Sequence, residues 1–340
     1  MTDVTMPTGS AGQTPEVPRS VFITGASGFI GRALAARYKA LGAQVRGMDL
    51  IADPANDIVA GDLTRPQSWA GHAAGCELFI NTAAVVSLAA SWKLYRDVSV
   101  QGVRNCLDVA IAGGARRFVQ FSSIAALGWD YQGEADERSD VVIGNHYRYG
   151  VAKGASEHVV LAAHAAGEID CTIVRPGDVY GPGSRAWLSE PMKMAKAGAL
   201  ILPNGGKGIF TPVYIDDLLD GVMLAAGLPQ AIGQIFHISA SHAVSCKTFF
   251  SSHWRWAGRN GTPHTLPLCV AVAITHVLWT VNRLLKKQGE VAPDTMYMFA
   301  RKGGVSIAKA QKVLGYQPKV DLEEGLRRSE AWLRESGQIG

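Results

Sequence analysis

Short apolar runs alternate with longer segments of helical periodicity along most of the chain. The runs that predict buried strands are residues 21–24, 44–48, 58–60, 78–80, 117–121 and 172–174. Between them, apolar residues at helical spacing predict helices, for example over residues 95–112 and 147–166. Strands that alternate with helices pair in parallel and are covered on both faces. The pattern therefore predicts an α/β protein with a doubly wound parallel sheet.

A glycine-rich turn joins the first predicted strand to the first predicted helix, with the sequence T-G-A-S-G-F-I-G at residues 24–31. Gly25 permits a sharp turn, Gly28 lets a pyrophosphate approach the backbone, and Gly31 lets the helix pack closely on the sheet. The helix N-terminus then offers unpaired N–H groups and a partial positive charge to the phosphates. The residues predicted to bind them are Gly25, Ser27, Gly28, Phe29, Ile30 and Gly31. A strand, turn and helix of this kind open a Rossmann-type, dinucleotide-binding sheet.

The end of the second predicted strand indicates which dinucleotide is bound. Asp49 lies there, where a carboxylate accepts hydrogen bonds from the adenosine ribose and repels a 2′-phosphate. Leu50 and Ile51 follow it, rather than an arginine that would bind that phosphate. The pattern therefore favours NAD over NADP; the alternative is that Asp49 is an ordinary turn residue at a strand end.

Two further segments are predicted to face the cofactor. Asp62 follows the third strand and either accepts a hydrogen bond from the adenine amino group or caps the next helix. The small residues at 81–84 follow the fourth strand and allow the backbone to lie against the cofactor. Both segments end strands, and the carboxyl ends of strands are where ligands bind in such sheets.

Polar residues later in the chain suggest proton-transfer chemistry. Ser122 and Ser123 end the fifth strand, while Tyr149 and Lys153 lie one helical turn apart on one helix face. A nearby ammonium group favours a tyrosinate, so Lys153 is expected to lower the pKa of Tyr149. Such a phenol exchanges a proton with an alcohol or a ketone, and a serine hydroxyl stabilises the same oxygen. By themselves the tyrosine and lysine also fit an exposed helix face; the preceding dinucleotide loop favours the chemical interpretation.

Composition narrows the classes of protein that fit this pattern. Apolar residues make up 47% of the 340 positions, which allows a sizeable core, and the net charge of +4 gives no case for a nucleic-acid partner. The five cysteines are widely spaced without a C-x-x-C pair, so neither a zinc site nor a disulfide framework is indicated, and no metal is predicted. A reducing, cytoplasmic setting is expected. Residues 1–18, rich in Thr, Pro, Gly and Ser, are predicted to form a flexible tail.

Together these motifs resemble those of the extended short-chain dehydrogenase/reductase superfamily, over residues 19 to about 335. The segments that carry the resemblance are T-G-x-x-G-x-x-G at 24–31, G-D-L at 61–63, N-T-A-A at 81–84, F-S-S at 121–123, Y-x-x-x-K at 149–153, R-P at 175–176, V-Y-I-D-D-L at 213–218 and L-G-Y-x-P at 314–318. The resemblance implies that Ser123, Tyr149 and Lys153 form the catalytic set, with Ser122 as the alternative serine. The residues that it adds to the expected NAD site are Leu63, Ala83, Tyr149, Lys153 and Pro176.

Residues around the serine bear on the branch of the superfamily. Ile124 and Ala125 follow Ser123, whereas sugar-nucleotide dehydratases typically have Asp-Glu there. Thr211 and Pro212 stand where epimerases of nucleotide sugars often carry an Arg-Asp pair. The first difference argues against dehydration, and the second leaves few polar groups to bind a nucleotide diphosphate.

Two other segments resemble the 3β-hydroxysteroid dehydrogenase and dihydroflavonol reductase branch. They are R-P-x-x-x-Y-G-x-G at 175–183 and S-S-I-x-x-x-G at 122–128. The division expected for such a chain is an NAD-binding Rossmann domain at 19–182, to which 209–240 returns, and a smaller C-terminal substrate-binding region at 183–208 and 241–340.

The stretch 266–282 carries no fully charged side chain, and Arg283, Lys286 and Lys287 follow it. Three interpretations are open: a helix that is buried or covers the substrate, a membrane-surface helix with a basic flank, or a short membrane span. The first two suit an apolar substrate. The second implies contact of residues 266–287 with a membrane surface.

These observations predict an NAD-dependent oxidoreductase that interconverts a secondary alcohol and a ketone on a hydrophobic, steroid-like small molecule. Hydride passes between the substrate carbon and the nicotinamide while Tyr149 moves the proton. One alternative is a nucleotide-sugar epimerase with tightly bound NAD. Another is a cofactor-sensing regulator, against which the intact Ser-Tyr-Lys set weighs. A homodimer is expected, in the cytoplasm or peripheral at the membrane.

Overall fold

The computed structural model describes residues 5–9, 12–88, 90–144, 147–284 and 292–340, with the backbone only at Arg283. The strands are β1 (Ser20–Thr24), β2 (Gln44–Asp49), β3 (Ile58–Ala60), β4 (Leu78–Asn81), β5 (Arg117–Phe121), β6 (Gln132–Ala135), β7 (Asp170–Pro176), β8 (Asp178–Tyr180), β9 (Ile201–Pro203), β10 (Ile209–Phe210), β11 (Pro212–Tyr214), β12 (Ile235–Ile238), β13 (Val244–Ser245), β14 (His264–Leu266) and β15 (Lys302–Val305). The α-helices are α1 (Phe29–Ala40), α2 (Ala70–Ala73), α3 (Trp92–Leu94), α4 (Gly102–Ala112), α5 (Arg148–Ala165), α6 (Glu190–Lys196), α7 (Ile215–Gly227), α8 (Cys246–Trp256), α9 (Leu268–Leu284), α10 (Pro293–Met298), α11 (Ala308–Leu314) and α12 (Leu322–Glu335).

Seven strands of the described chain form one sheet in the order β12-β7-β5-β4-β1-β2-β3, and each neighbouring pair is parallel. The chain enters at β1, runs outward to β3, returns through β4 and continues to the opposite edge. This reversal opens a crevice at the carboxyl ends of β1 and β4, where ligands of such sheets bind. The predicted doubly wound parallel sheet is confirmed.

Successive residues of the central strands enter two different apolar layers. In β1, Val21 and Ile23 pack into one layer and Phe22 into the other, and all three are fully buried. The Phe22 ring lies tilted against that of Phe79 in β4, with centroids 5.1 Å apart. Phe79 in turn stacks on Phe118 of β5, with centroids 5.3 Å apart. Because both faces of the sheet are covered, the strand sequences are continuously apolar rather than alternating.

The layer that contains Val21 continues into the C-terminal part of the chain. Phe249 of α8 belongs to the same core and stacks on Phe210, with ring centroids 4.1 Å apart. Trp187 lies edge-on to Phe210 at 4.9 Å. An aromatic cluster therefore joins the C-terminal elements directly to one face of the sheet.

Some elements differ from the sequence prediction. The predicted helix over 95–112 begins as a π-helical turn, Tyr95–Gln101, and continues as α4. In the stretch 266–282, Leu266 lies in β14 and the helix begins at Leu268, while 285–287 of the predicted basic flank lie outside the described residues. Among the described residues, no helix combines the length and the apolar character needed to cross a bilayer.

The described part of the predicted tail contacts the rest of the protein. Pro15 is buried and lies so close to Gly227 that a Cβ there would be 2.5 Å from the Pro15 Cβ. Met6 and Val17 pack against the core, and Gln230 Nε2 donates to Gln13 Oε1 at 2.9 Å. Apolar residues scattered in a polar segment thus give it contacts that the overall composition did not predict.

Candidate functional site

The glycine-rich turn has the conformation that its sequence predicts. Gly25 has φ +69°, a left-handed conformation that favours glycine, and a Cβ at Gly31 would lie 2.1 Å from the Gly25 carbonyl oxygen. Gly28 is the N-cap residue of α1 and gives the helix no side-chain hydrogen bond. The first N–H groups of α1 therefore remain available for an anion, and the turn fits the pyrophosphate of a dinucleotide.

Asp49 reaches the same turn from the end of β2. Its carboxylate accepts hydrogen bonds from the backbone N–H of Ser27 at 3.0 Å and of Leu50 at 2.7 Å. Leu50 and Ile51 are exposed beside it. The structure thus brings the predicted ribose-binding carboxylate to the glycine turn, with apolar rather than basic side chains next to it.

Several other predicted NAD residues also border the turn or a strand end. Ala83 packs so closely on the turn that a Cβ at Gly25 would lie 3.0 Å from its Cα. Phe29 and Ile30 are half-buried in the first turn of α1 and pack against the core. Pro176 is buried at the end of β7.

Asp62 and Leu63 have partners within the protein. The Asp62 carboxylate accepts hydrogen bonds from the N–H and the Oγ1 of Thr64, both at 2.8 Å, and so closes a local turn rather than capping a helix. The Leu63 side chain is buried in the layer that contains Phe22, and its carbonyl oxygen accepts from Asn105 Nδ2 at 2.7 Å. Leu63 therefore has a packing role in the described structure.

Ser123, Tyr149 and Lys153 meet where the end of β5 faces the first turns of α5. The Ser123 hydroxyl accepts a hydrogen bond from the Ala125 N–H at 3.1 Å and acts to lower the pKa of the Tyr149 phenol. The Lys153 ammonium lies 5.8 Å from the centroid of the Tyr149 ring and donates to the Phe121 carbonyl oxygen at 2.9 Å. The three side chains singled out in the sequence are thus adjacent.

Ser122, the alternative serine, points elsewhere. It is buried, its N–H donates to the Val174 carbonyl at 2.8 Å, and its hydroxyl donates to Glu157 Oε1 at 2.5 Å. The geometry therefore favours Ser123 over Ser122 as the hydroxyl that faces Tyr149.

Burial controls the proton affinities of this group. It raises the pKa of Tyr149 to about 12, with the Ser123 hydrogen bond acting in the opposite direction. It lowers the pKa of Lys153 to about 8, opposed by the Glu157 carboxylate. The expectation that the pKa of Tyr149 lies below its usual value is wrong for the protein alone, because desolvation of the phenolate outweighs its favourable contacts. Tyr149 is therefore protonated at neutral pH, as a donor to a ketone oxygen must be.

The sequence patterns did not predict that aromatic residues surround Tyr149. The Tyr95 ring lies 6.4 Å from that of Tyr149, in a π-helical turn that no motif predicted. Tyr147 has φ +58°, which is uncommon for a bulky residue, and its hydroxyl donates to Asp130 at 3.0 Å. Tyr297 of α10 lies 6.3 Å from the Tyr147 ring. Only Tyr147 carried a signal, since it lies two positions before the predicted catalytic tyrosine.

The sequence of this chain is similar to those of several known proteins. The sequence profile of the NAD dependent epimerase/dehydratase family matches residues 21–239. The decarboxylating sterol-4-alpha-carboxylate 3-dehydrogenase of Candida albicans is 26% identical over 291 residues, which cover 81% of this chain and 82% of the relative. The 4-hydroxy-2-methyl-3-oxo-4-farnesyl-3,4-dihydroquinoline-1-oxide ketoreductase of Stigmatella aurantiaca is 24% identical over 331 residues, covering 94% and 97%.

Solved structures share the fold. The dTDP-glucose 4,6-dehydratase of Streptomyces venezuelae, solved with NAD bound, superposes with a TM-score of 0.74 at 20% identity and covers 94% of this chain and 98% of its own. The glycine turn, the Asp49 carboxylate and the uncapped α1 fit the same cofactor. The chain belongs to the NAD-dependent epimerase/dehydratase family of the extended short-chain dehydrogenase/reductase superfamily and is an enzyme that uses NAD.

Proposed function

We propose that the enzyme interconverts a secondary alcohol and a ketone on an apolar, steroid-like substrate. The observation that carries this proposal is the position of the buried Lys153 ammonium 5.8 Å from the centroid of the Tyr149 ring, with Ser123 acting on the same phenol. The group supplies a proton-transfer centre at the end of β5, in the same sheet whose first strand ends in the dinucleotide turn. Oxidation of an alcohol or reduction of a ketone requires one such proton transfer together with one hydride transfer.

The proposed roles follow from the contacts. Tyr149 gives a proton to the ketone oxygen or takes one from the alcohol, and Ser123 holds the same oxygen by a hydrogen bond. Lys153, fixed by the Phe121 carbonyl, adds positive charge near the phenol and binds the nicotinamide ribose, while Pro176 borders the nicotinamide. NAD, when bound, supplies or accepts the hydride.

The surroundings of Tyr149 support an apolar substrate. Tyr95 lies on one side of it, and Tyr147 packs edge-on between Trp129 and Tyr297 at ring distances of 6.1 and 6.3 Å. Aromatic rings bind flat apolar molecules through large contact areas. The names of the curated relatives from Candida albicans and Stigmatella aurantiaca describe a sterol and a farnesylated ring system as substrates. In this proposal, 183–208 and 241–340 form the substrate-binding region over an NAD-binding domain at 19–182.

A substrate panel tests the proposed reaction. With NAD⁺ and 3-hydroxysterols, or with NADH and apolar 3-oxo compounds, we expect a change in NADH absorbance that depends on enzyme concentration, because the site transfers one hydride per turnover. UDP-sugars are assayed as well, because they are the substrates expected of the alternative, a nucleotide-sugar epimerase. Conversion of a UDP-sugar to its epimer without net NADH change, by protein that retains NAD through gel filtration, would overturn the proposal in favour of the nucleotide-sugar epimerase.

The outward side of α9 supports contact with a membrane surface. Ala271 and Thr275 are buried against the protein, whereas the opposite side of the helix is exposed and mostly apolar, with His276 and Thr280 as its polar residues. We call the apolar residues of this side the outer stripe; they are Val270, Ala273, Ile274, Val277, Leu278, Val281 and Leu284. Trp279, near the end of the helix, is half-buried.

We propose that the outer stripe rests on an anionic bilayer. The α9 sequence has no charged residue before Arg283, so the helix itself lacks the charges that would set the register of a pair with a second copy. Arg283 and the sequence that follows it, with Lys286 and Lys287, are basic and suited to anionic headgroups. An apolar substrate that partitions into the bilayer would then reach the enzyme directly from the membrane.

Substitution in the outer stripe tests this contact. Leu278→Asp is expected to weaken binding to phosphatidylserine vesicles by roughly tenfold to a hundredfold, because burial of one leucine contributes about 1.5–3 kcal/mol. Leu278 is half exposed, so the melting temperature should not change. Ile111→Asp, at an exposed apolar residue of α4, is the control and should leave vesicle binding unchanged. Failure of the wild type to bind vesicles, with dimerisation lost in Leu278→Asp, would assign the stripe to a second copy instead.

A further inference from the structure

Glu157 lies one helical turn beyond Lys153 on α5, and both side chains are buried. Its carboxylate is fully engaged. Oε1 accepts hydrogen bonds from Ser122 Oγ at 2.5 Å and from Arg175 Nε at 2.7 Å, and Oε2 accepts from Arg175 Nη2 at 2.6 Å. One carboxylate therefore links α5 to the end of β5 and to β7.

Lys153 and Glu157 together hold two successive residues of the β5 end. Lys153 Nζ donates to the Phe121 carbonyl, and Glu157 accepts from the Ser122 hydroxyl. The next residue is Ser123, whose hydroxyl meets Tyr149 on the first turn of the same helix. The spacing between Ser123 and Tyr149 is thus set by two contacts that lie one and two turns further along α5.

Arg175 extends this arrangement to the far edge of the sheet. It lies in β7 directly before Pro176, and its Nη1 is 3.4 Å from His237 Nε2 in β12. Burial and the Arg175 charge lower the pKa of His237 to about 3, so this histidine is neutral and does not compete for Glu157. The guanidinium forms its buried ion pair with Glu157, and the Glu137 carboxylate, which accepts from the His237 N–H at 2.8 Å, is a second acidic group that its charge influences.

We propose that Glu157 is a positioning residue for the reaction, acting through Ser122 on the Ser123–Tyr149 spacing and through its charge on Lys153. The inference rests on the proposed function for what it means for turnover. A buried ion pair contributes little net stability relative to apolar residues of similar size. The Glu157–Arg175 pair lies between α5, β5 and β7, so we attribute its presence to the geometry that it fixes.

The charge of Glu157 also has a defined electrostatic consequence. The groups that face Lys153 are Tyr149 and Glu157 on its own helix and Ser123 and the Phe121 carbonyl from the β5 end; Tyr95 lies behind Tyr149, and Arg175 of β7 faces Glu157. Glu157 is the acidic group that raises the pKa of Lys153 against the effect of burial. Removing its charge must lower that pKa, so Lys153 would lose its proton at a lower pH.

The test compares Glu157→Gln with Ser122→Ala across the neutral and alkaline range. In Glu157→Gln we expect kcat to fall by about tenfold or more and the alkaline limb of the pH profile to move to lower pH by about one unit. In Ser122→Ala, which keeps the ion pair, we expect a fall in kcat with no movement of that limb. The control is Asp178→Asn, which breaks the buried pair with Arg301 and should lower the melting temperature while leaving the limb in place.

Other outcomes are equally informative. A lower melting temperature in Glu157→Gln with an unmoved alkaline limb would show a purely structural role and overturn the inference. If Glu157→Gln does not fold, it is replaced by the double variant Glu157→Gln/Arg175→Met, which removes both buried charges. The inference then requires the alkaline limb of this double variant to move to lower pH. If the wild type turns over no substrate, the proposed function fails. The pH dependence of NAD affinity, measured by titration in wild type and variants, then tests the inference about Glu157 separately.

Discussion

Tyr149→Phe is expected to lower kcat by about 10²- to 10⁴-fold, because it removes the proton donor and nothing else. Phenylalanine keeps the ring that packs 6.4 Å from Tyr95 and 5.8 Å from the Lys153 ammonium. NAD affinity should therefore be retained. Steady-state rates with the best substrate of the panel and NAD titration by fluorescence check both halves of the prediction.

Tyr95→Phe is the matched control for this substitution. It also removes a buried phenol hydroxyl beside the site, one that donates to the Ser87 carbonyl. We expect a much smaller loss of activity from it. A Tyr149→Phe rate within about tenfold of wild type, or an equal loss in both variants, would remove Tyr149 from the mechanism.

Lys153→Met is expected to lower kcat by about a hundredfold or more and, unlike Tyr149→Phe, to weaken NAD binding. The methionine fills a similar volume but has no charge, and it removes one of the two donors to the Phe121 carbonyl, the other being Gln120 Nε2. Loss of the charge removes the ammonium that lies 5.8 Å from the centroid of the phenol ring. Turnover and NAD titration on the same preparation separate the two effects.

Lys309→Met provides the comparison for that substitution. Lys309 also donates to a strand carbonyl, that of Ile235 at 2.9 Å, and its ammonium lies 5.1 Å from the Phe236 ring. The same local contacts are thus lost away from Tyr149, and we expect NAD affinity to be unchanged. Normal NAD affinity in Lys153→Met would contradict the dual role assigned to Lys153.

Much of the fold was predictable because its signals are local. The central strands are apolar on both faces, so they stand out as short continuous runs, and the turn between Gly25 and Gly31 requires glycine for reasons that lie within the turn itself. The spacing of Tyr149 and Lys153 places them on one helix face before any tertiary contact is known. The strand–helix alternation, the dinucleotide turn and the pairing of these two residues were therefore determined by the sequence.

Contacts between distant segments were decided by the tertiary structure alone. Nothing near Ser122 or Glu157 in the chain indicates that they bind each other or that Glu157 binds Arg175, because the parallel crossover places these residues together only when the sheet is complete. The same holds for Tyr95, which a π-helical turn brings to Tyr149.

Proton affinities and exposure also depended on the assembled structure. The expected lowering of the Tyr149 pKa was wrong because desolvation depends on how many groups surround the phenol, and these come from several elements. The sequence showed that residues 266–282 lack charge, but only packing decided that Ala271 and Thr275 face the protein while Val277 and Leu278 face outward. Periodicity determines which residues share a face, and the neighbouring elements determine whether that face is covered.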